Sequence, residues 1–243
     1  MPTVVPPNAL RSAYEDFREA FRSAAEDANR EVYFSNVPIH DCFTDSGDAA
    51  SADFTYFVYL KDWPCRKLAG TKQLDVIVKV RERFHRDGQQ WRLTKSTVYV
   101  NYLVVGDGRR ILAQALHYDF DEAGQPAHPF FHVQLTVDPI PQHELASKGI
   151  VVDFEVPNPA GECFVASRIP TPDMTFASVL YCLMADHMGA GTGSGPAIFD
   201  TFANNVRPIQ PRLPTLSFEA LRNSLQASFG NFKSPHWFAH MNP

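Results

Sequence analysis

Three histidines and two carboxylates fall on one stretch of the chain, Arg109 to Asp138. His117, Asp119 and Asp121 stand two apart in HYDFD, with Leu116, Tyr118 and Phe120 on the alternate positions. Alternation of that kind marks a strand, so the three polar groups share one face. Gly124 and Pro126 suit a turn at Glu122 to Pro126, and a second arm runs from about His128 to Val137. Phe131, Val133, Leu135 and Val137 lie on one side of that arm, and His128, His132, Gln134 and Thr136 on the other. A β-hairpin of these arms brings both polar sets to one surface.

The chemistry such a surface suggests is metal-assisted hydrolysis. Asp119 and Asp121 offer hard oxygen ligands suited to Mg²⁺ or Mn²⁺. An imidazole from His117, His128 or His132 moves the preference toward Mn²⁺ or Zn²⁺, with Zn²⁺ the less favoured. The candidate metal set is Asp119, Asp121 and His128; the candidate catalytic set is Asp119, Asp121, His117 and His132. A metal there would activate water for attack on a phosphodiester. The same residues also read as a half-buried polar network that only supports the hairpin, and their spacing matches no standard metal motif.

Cations supply the second signal. From Leu60 to Arg110 there are twelve Lys and Arg against five Asp and Glu, although the whole chain carries a net charge of −5. Lys79, Arg81 and Arg83 alternate with Val76, Val78 and Val80, and Arg92 follows on the next strand, so a solvent-facing electropositive surface for phosphates is expected. The alternative is a solvated face that pairs with acidic helices. Arg168 precedes Thr171-Pro172-Asp173, a helix start with a Thr cap and Pro at the first helical position. It could hold a phosphate at a helix N-terminus or form an ordinary salt bridge. The Gly-rich GAGTGSGP segment at 189–196 lacks the Gly-Lys-Ser/Thr of a phosphate loop and follows a helix, so it reads as a connector or lid.

These groups need elements to position them. Leu10, Tyr14, Phe17, Phe21 and Ala24 form the apolar stripe of an N-terminal helix over 8–29, with Asn8 as its cap. Strands are expected at Glu31 to Ser35, Phe54 to Leu60, Gln73 to Arg86, Trp91 to Val105, the two hairpin arms, Ile150 to Val156 and Glu162 to Ser167. Asp87-Gly88 and Gly106-Asp107-Gly108 are tight-turn signals, so the strands form a meander. Phe176, Val179, Leu180, Leu183, Met184 and His187 make the stripe of a later helix; shorter and longer ones follow at 197–205 and 217–229. The expected fold is a single α+β domain spanning 1–243: a helix at 8–29, an antiparallel meandering sheet of about five to seven strands at about 54–167, a helical part at about 172–229 and a docked tail at 230–243. The N- and C-terminal helices pack on one face.

Composition bounds the rest. At 243 residues with 44% hydrophobic and 20% charged content, a packed core is affordable. Cys42, Cys65, Cys163 and Cys182 show no CxxC pairing, which argues against a tetrathiolate zinc site. No signal-peptide pattern or membrane-length apolar run is present, so a cytoplasmic protein with reduced thiols is expected.

Taken together, the HYDFD, HPxxHxQ and RIPTP segments resemble those of uncharacterised bacterial domain-of-unknown-function proteins, over about Leu112 to His187. Families of this kind are found near defence or toxin–antitoxin genes. The resemblance implies a component of such a module with a protein partner encoded nearby, and it assigns no catalytic residue. Two functions follow as expectations. One is a nucleic-acid-directed, metal-assisted hydrolase; the other is a non-catalytic binding or scaffold subunit of a defence-type complex. Nucleic acid or another polyanion is the expected ligand, with no membrane.

Overall fold

Strict alternation in one long segment after another commits the chain to a sheet with two distinct faces. The computed structural model describes residues 7–45, 51–63, 74–87, 90–121, 131–136, 139–157, 168–170, 175–189 and 194–213, with the backbone alone for Pro7, Asp45, Asp87, Gln90, Trp91, Asp121, Phe131, His132, residues 168–170 and Gly189. The strands are β1 (Glu31–Phe34), β2 (Phe43–Asp45), β3 (Ser51–Trp63), β4 (Leu74–Asp87), β5 (Gln90–Gly106), β6 (Arg109–Asp121), β7 (Phe131–Thr136) and β8 (Arg168–Pro170). Seven of them pair in the order β1-β3-β4-β5-β6-β7-β8, each antiparallel to its neighbour, and β2 pairs with β3 beside β1. The helices are α1 (Pro7–Asp27), α2 (Gln142–Ser147), α3 (Phe176–Met184) and α4 (Gly195–Val206); a π-helical turn, Ala185–Gly189, continues α3. The α+β antiparallel meander expected from the alternation is the observed fold.

One face is the core. Leu10, Tyr14, Phe17, Phe21 and Ala24 of α1 are buried against Phe54, Tyr56, Val58, Val76, Val78, Val80, Val98 and Val100 of the sheet, and α3 and α4 close the same layer with Phe176, Leu180 and Phe202. The terminal helices thus cover one side, as expected. The left-handed residue Asn29 (φ 54°) ends α1: its amide bonds Glu26 and the Arg30 amide reaches back to Ala25, a Schellman closure. Asp107 (φ 49°) and Gly108 (φ 73°) form the two-residue turn between β5 and β6, both left-handed as a type I′ hairpin requires.

The opposite face is half covered. Residues 139–157, including α2, lie across it as a strap whose Ile140, Leu145, Ile150, Val152 and Phe154 pack on Phe57, Tyr59, Ile77, Leu103 and Ala115. Ile150 to Val156 does not form the expected strand. Its backbone pairs with the sheet at one parallel bridge, between Ile111 and Glu155, because β7 starts pairing with β6 at Ala115 and leaves the Arg110–Leu112 edge for Glu155 to bond. The cap of α3 is Thr175, whose hydroxyl accepts from the Ser178 amide at 3.4 Å. The expected strand at 162–167, the 217–229 helix, the 230–243 tail, Thr171-Pro172-Asp173 and the centre of the Gly-rich segment lie outside the described residues.

Candidate functional site

Beyond the strap, the second face turns polar. Strand register lays its residues out in rows. One row runs Phe57, Lys79, Tyr99, His117 and Gln134; the next runs Thr55, Arg81, Thr97, Asp119 and His132; the third runs Asp53, Arg83, Lys95 and Asp121. Directly opposed residues on a sheet face stand about 5 Å apart at Cβ, so each row is a contiguous band.

The hairpin takes the arrangement that its alternation implied. His117, Asp119 and Asp121 sit on the polar face, while Leu116 and Phe120 are buried in the core. His117 Nε2 lies 3.0 Å from Asp119 Oδ2, and both side chains are largely buried. The Tyr99 ring approaches His117 at 5.8 Å. Burial raises the Tyr99 phenol above its ordinary value, and the charge of Asp119 adds to the rise. The register position opposite Asp119 belongs to His132, and that opposite His117 to Gln134. The side chains of Asp121 and His132, and all of His128, lie outside the described residues. Among the described residues no three His, Cys, Asp or Glu groups converge as a metal site.

Lys79 corrects an expectation. It shares the face of Arg81 and Arg83 but is only 8% exposed. Its ammonium pairs with Glu144 of α2 and sits over the rings of Phe57 and Tyr99, at 5.7 and 5.4 Å from their centroids. The strap reaches that row and converts a candidate phosphate contact into an internal ion pair. Arg81 and Arg83, one and two rows further out, remain exposed as expected. Arg83 makes a two-pronged pair with Asp53, at 2.7 and 3.1 Å.

Lys95 and Arg92 reach the same face through an irregularity. Arg83 pairs with Lys95 but Phe84 pairs with Leu93, so Thr94 is an extra residue, and its hydroxyl donates to the Arg83 carbonyl at 3.2 Å. A bulge of this kind reverses which side later residues face. Lys95 joins Arg83, and Arg92 joins His85, whereas uninterrupted alternation would separate Lys95 from Arg92. A groove of about 570 Å³ results, lined by Thr44, Thr55, Arg81, Lys95, Thr97 and Tyr99 among others. The sequence reading missed Lys95, Thr55, Thr97 and Tyr99; only cross-strand register groups them.

Arg168 falls in β8, with Gln134 as its register partner. The N-terminus of α3 already has an anion: Glu82 Oε1 accepts the Phe176 amide at 2.9 Å. The side chain of Arg168 and the Thr171-Pro172 segment, where a phosphate was expected, lie outside the described residues. Elsewhere, His40 faces Asp41 at 3.3 Å, and burial pushes the Cys42 thiol up to about 11.

No described helix is long and apolar enough to cross a membrane. Comparison of the chain with protein-family models, curated proteins and solved structures finds no match. The resemblance of the HYDFD, HPxxHxQ and RIPTP segments therefore stands on those motifs alone.

Proposed function

We propose that the chain is a binding component whose uncovered polar half-face takes a polyanion, nucleic acid above all, through Arg81, Arg83, Lys95 and Arg92. The observation that carries this reading is the setting of Arg81. Its side chain is exposed, it makes no ion pair among the described residues, and it opens into a groove flanked by Thr55, Thr97 and Lys95. An Arg beside hydroxyls and a second cation matches the geometry and charge of a phosphate. A bacterial defence-type module, the setting implied by the resemblance, suits such a ligand together with a protein partner encoded nearby.

A second reading, metal-assisted hydrolysis, is favoured by one observation: Asp119 meets His117 and has His132 at the opposed register position. The cation band would then grip substrate beside that hairpin.

Fluorescence anisotropy with labelled single- and double-stranded DNA and RNA, taken across a salt series, tests the first reading. Affinity should fall steeply with salt, because each phosphate neutralised releases counterions. Arg81→Ala and Lys95→Ala should each reduce the salt slope by about 1. Lys79→Met should leave it unchanged, since that ammonium is already committed to Glu144. No binding at low salt sinks the proposal.

A further inference from the structure

The first strand of the sheet has an open side. The Ser35 amide donates to the Phe57 carbonyl at 3.0 Å, which makes that pair a hydrogen-bonded one. Bonded pairs alternate along an antiparallel ladder, so Tyr33 and Glu31 also bond toward β3, and the backbone groups of Val32 and Phe34 point away from it. Neither has a partner among the described residues. The outward groups on either side are taken: the Asn36 amide bonds the Lys148 carbonyl and the Arg30 amide bonds Ala25, both at 2.8–3.0 Å. Helix α1 does not close this edge. A groove of about 630 Å³, lined by Arg18, Arg22 and Glu26 of α1 and by residues 31–35, lies between them.

We propose that this edge is the seam of a two-fold dimer, in which a second copy of the chain lays its own β1 antiparallel against Val32 and Phe34 and joins the two sheets. The fit to another copy follows from which backbone groups are available. Two identical antiparallel strands must pair outward residues with outward residues. Opposing Val32 to Val32 of the other copy would set Phe34 against Arg30, whose amide is used. Opposing Phe34 to Phe34 would set Val32 against Asn36, whose amide is also used. The register that opposes Val32 to Phe34 uses both open residues twice and closes four backbone bonds. It also places Tyr33 against itself on the axis and Glu31 against Ser35, so no like charges meet directly.

Side chains agree with that register. Tyr33 is a large ring left 43% exposed, and it stacks on Tyr59 at 5.6 Å. Across the axis the same ladder continues from Tyr33 to the other Tyr33, an aromatic pair in the closely spaced class of cross-strand positions. Val151, 87% exposed, lines the same hollow as Tyr33 and lies beside the seam. Unprotected strand edges are templates for a further strand, and a self-complementary one closes with two-fold symmetry.

Sedimentation velocity on the full chain over a concentration series tests the dimer, with Tyr33→Cys as the positional probe. Opposed residues of the closely spaced class have Cα atoms about 4.5 Å apart, within disulfide range. Tyr33→Cys should cross-link to itself under mild oxidation above the wild-type background, and Glu31→Cys should not. Tyr33→Lys, which brings two ammonium groups together, should weaken the dimer at least about tenfold while the circular dichroism spectrum is retained. Val32→Pro removes an outward N–H that β3 does not use, and should yield a monomer. A wild-type chain monomeric at about 100 μM, or a dimer indifferent to Tyr33→Lys and unable to cross-link at position 33, overturns the proposal; at that concentration a dimer of about micromolar affinity would be formed.

Discussion

Glu82 lies on β4 and Phe176 opens α3, yet the Glu82 carboxylate accepts the Phe176 amide at 2.9 Å. The same carboxylate accepts from the Tyr14 hydroxyl of α1 and, at 3.4 Å, from Ser96 of β5. Glu82 is 2% exposed. One buried acid therefore fastens the first helix and the third to the sheet, and its charge faces the positive end of a helix.

Glu82→Gln should keep the shape and lose the charge-assisted bonds. A destabilisation of about 2 kcal/mol is expected in urea melts. Tyr14→Phe should cost about 1 kcal/mol, and the double variant less than the sum, since both changes act on one network. Strict additivity would show that the Tyr14–Glu82 contact contributes nothing of its own.

The alternation that placed Val76, Val78 and Val80 in the core also placed Glu82 there, so the buried acid was legible as a position although not as a fastener. The meander was legible because Gly106-Asp107-Gly108 fixes a register and long alternating runs fix the faces. The strap was not. Helix α2 has six residues, too few for a 3.6-residue period to stand out, and Ile150 to Val156 reads as a strand while packing as irregular chain. That omission misplaced Lys79, whose surroundings are set by Glu144 sixty-five residues on. The bulge at Thr94 was equally silent, since an extra residue in one strand appears only against its partner.

The Lys79–Glu144 pair holds the strap on the sheet. Glu144→Ala should destabilise more than Lys79→Met, because the first leaves a buried ammonium without its anion whereas the second leaves an apolar stem between Phe57 and Tyr99. A cost of about 2 kcal/mol against about 1 kcal/mol or less is expected by denaturant unfolding. Hydrogen exchange should quicken at Leu145 and Ile150 in Glu144→Ala while the β3 and β4 amides stay protected.

Alkaline pH should destabilise the fold through its buried acids. Burial raises the Cys42 thiol from 9.0 to about 11 and the Tyr56 phenol from 10.0 to about 12. Burial raises Tyr59, Tyr102 and Tyr118 as well. These acids ionise in the unfolded chain before they do so in the folded one. The stability they contribute is fully present below the unfolded values of 9.0 and 10.0 and is lost as pH climbs through the folded ones. Urea midpoints should hold steady from neutrality to about pH 9 and fall beyond it, with phenolate absorbance appearing together with loss of structure. Phenolate formation by Tyr56 in a chain that stays folded would contradict this.

Asp119 decides between the two readings of the polar face. Asp119→Asn keeps the size and hydrogen-bonding capacity of the side chain and removes the charge that His117 faces at 3.0 Å. If the face is a polyanion surface, removing a negative charge from the Arg81 row should tighten nucleic-acid binding, by about threefold at low salt, and the gain should vanish as salt screens it. Wild type and variant should then give the same heats when titrated with Mn²⁺, Mg²⁺ or Zn²⁺. If the hairpin is a metal centre, the variant instead loses a binding heat that wild type shows, together with phosphodiester cleavage, while its melting is unchanged. Only the first outcome brings a salt-sensitive gain in nucleic-acid affinity and only the second a lost metal heat, so one pair of calorimetric and anisotropy titrations separates them. A wild-type metal heat that disappears in Asp119→Asn would replace the binding-component reading with the hydrolase.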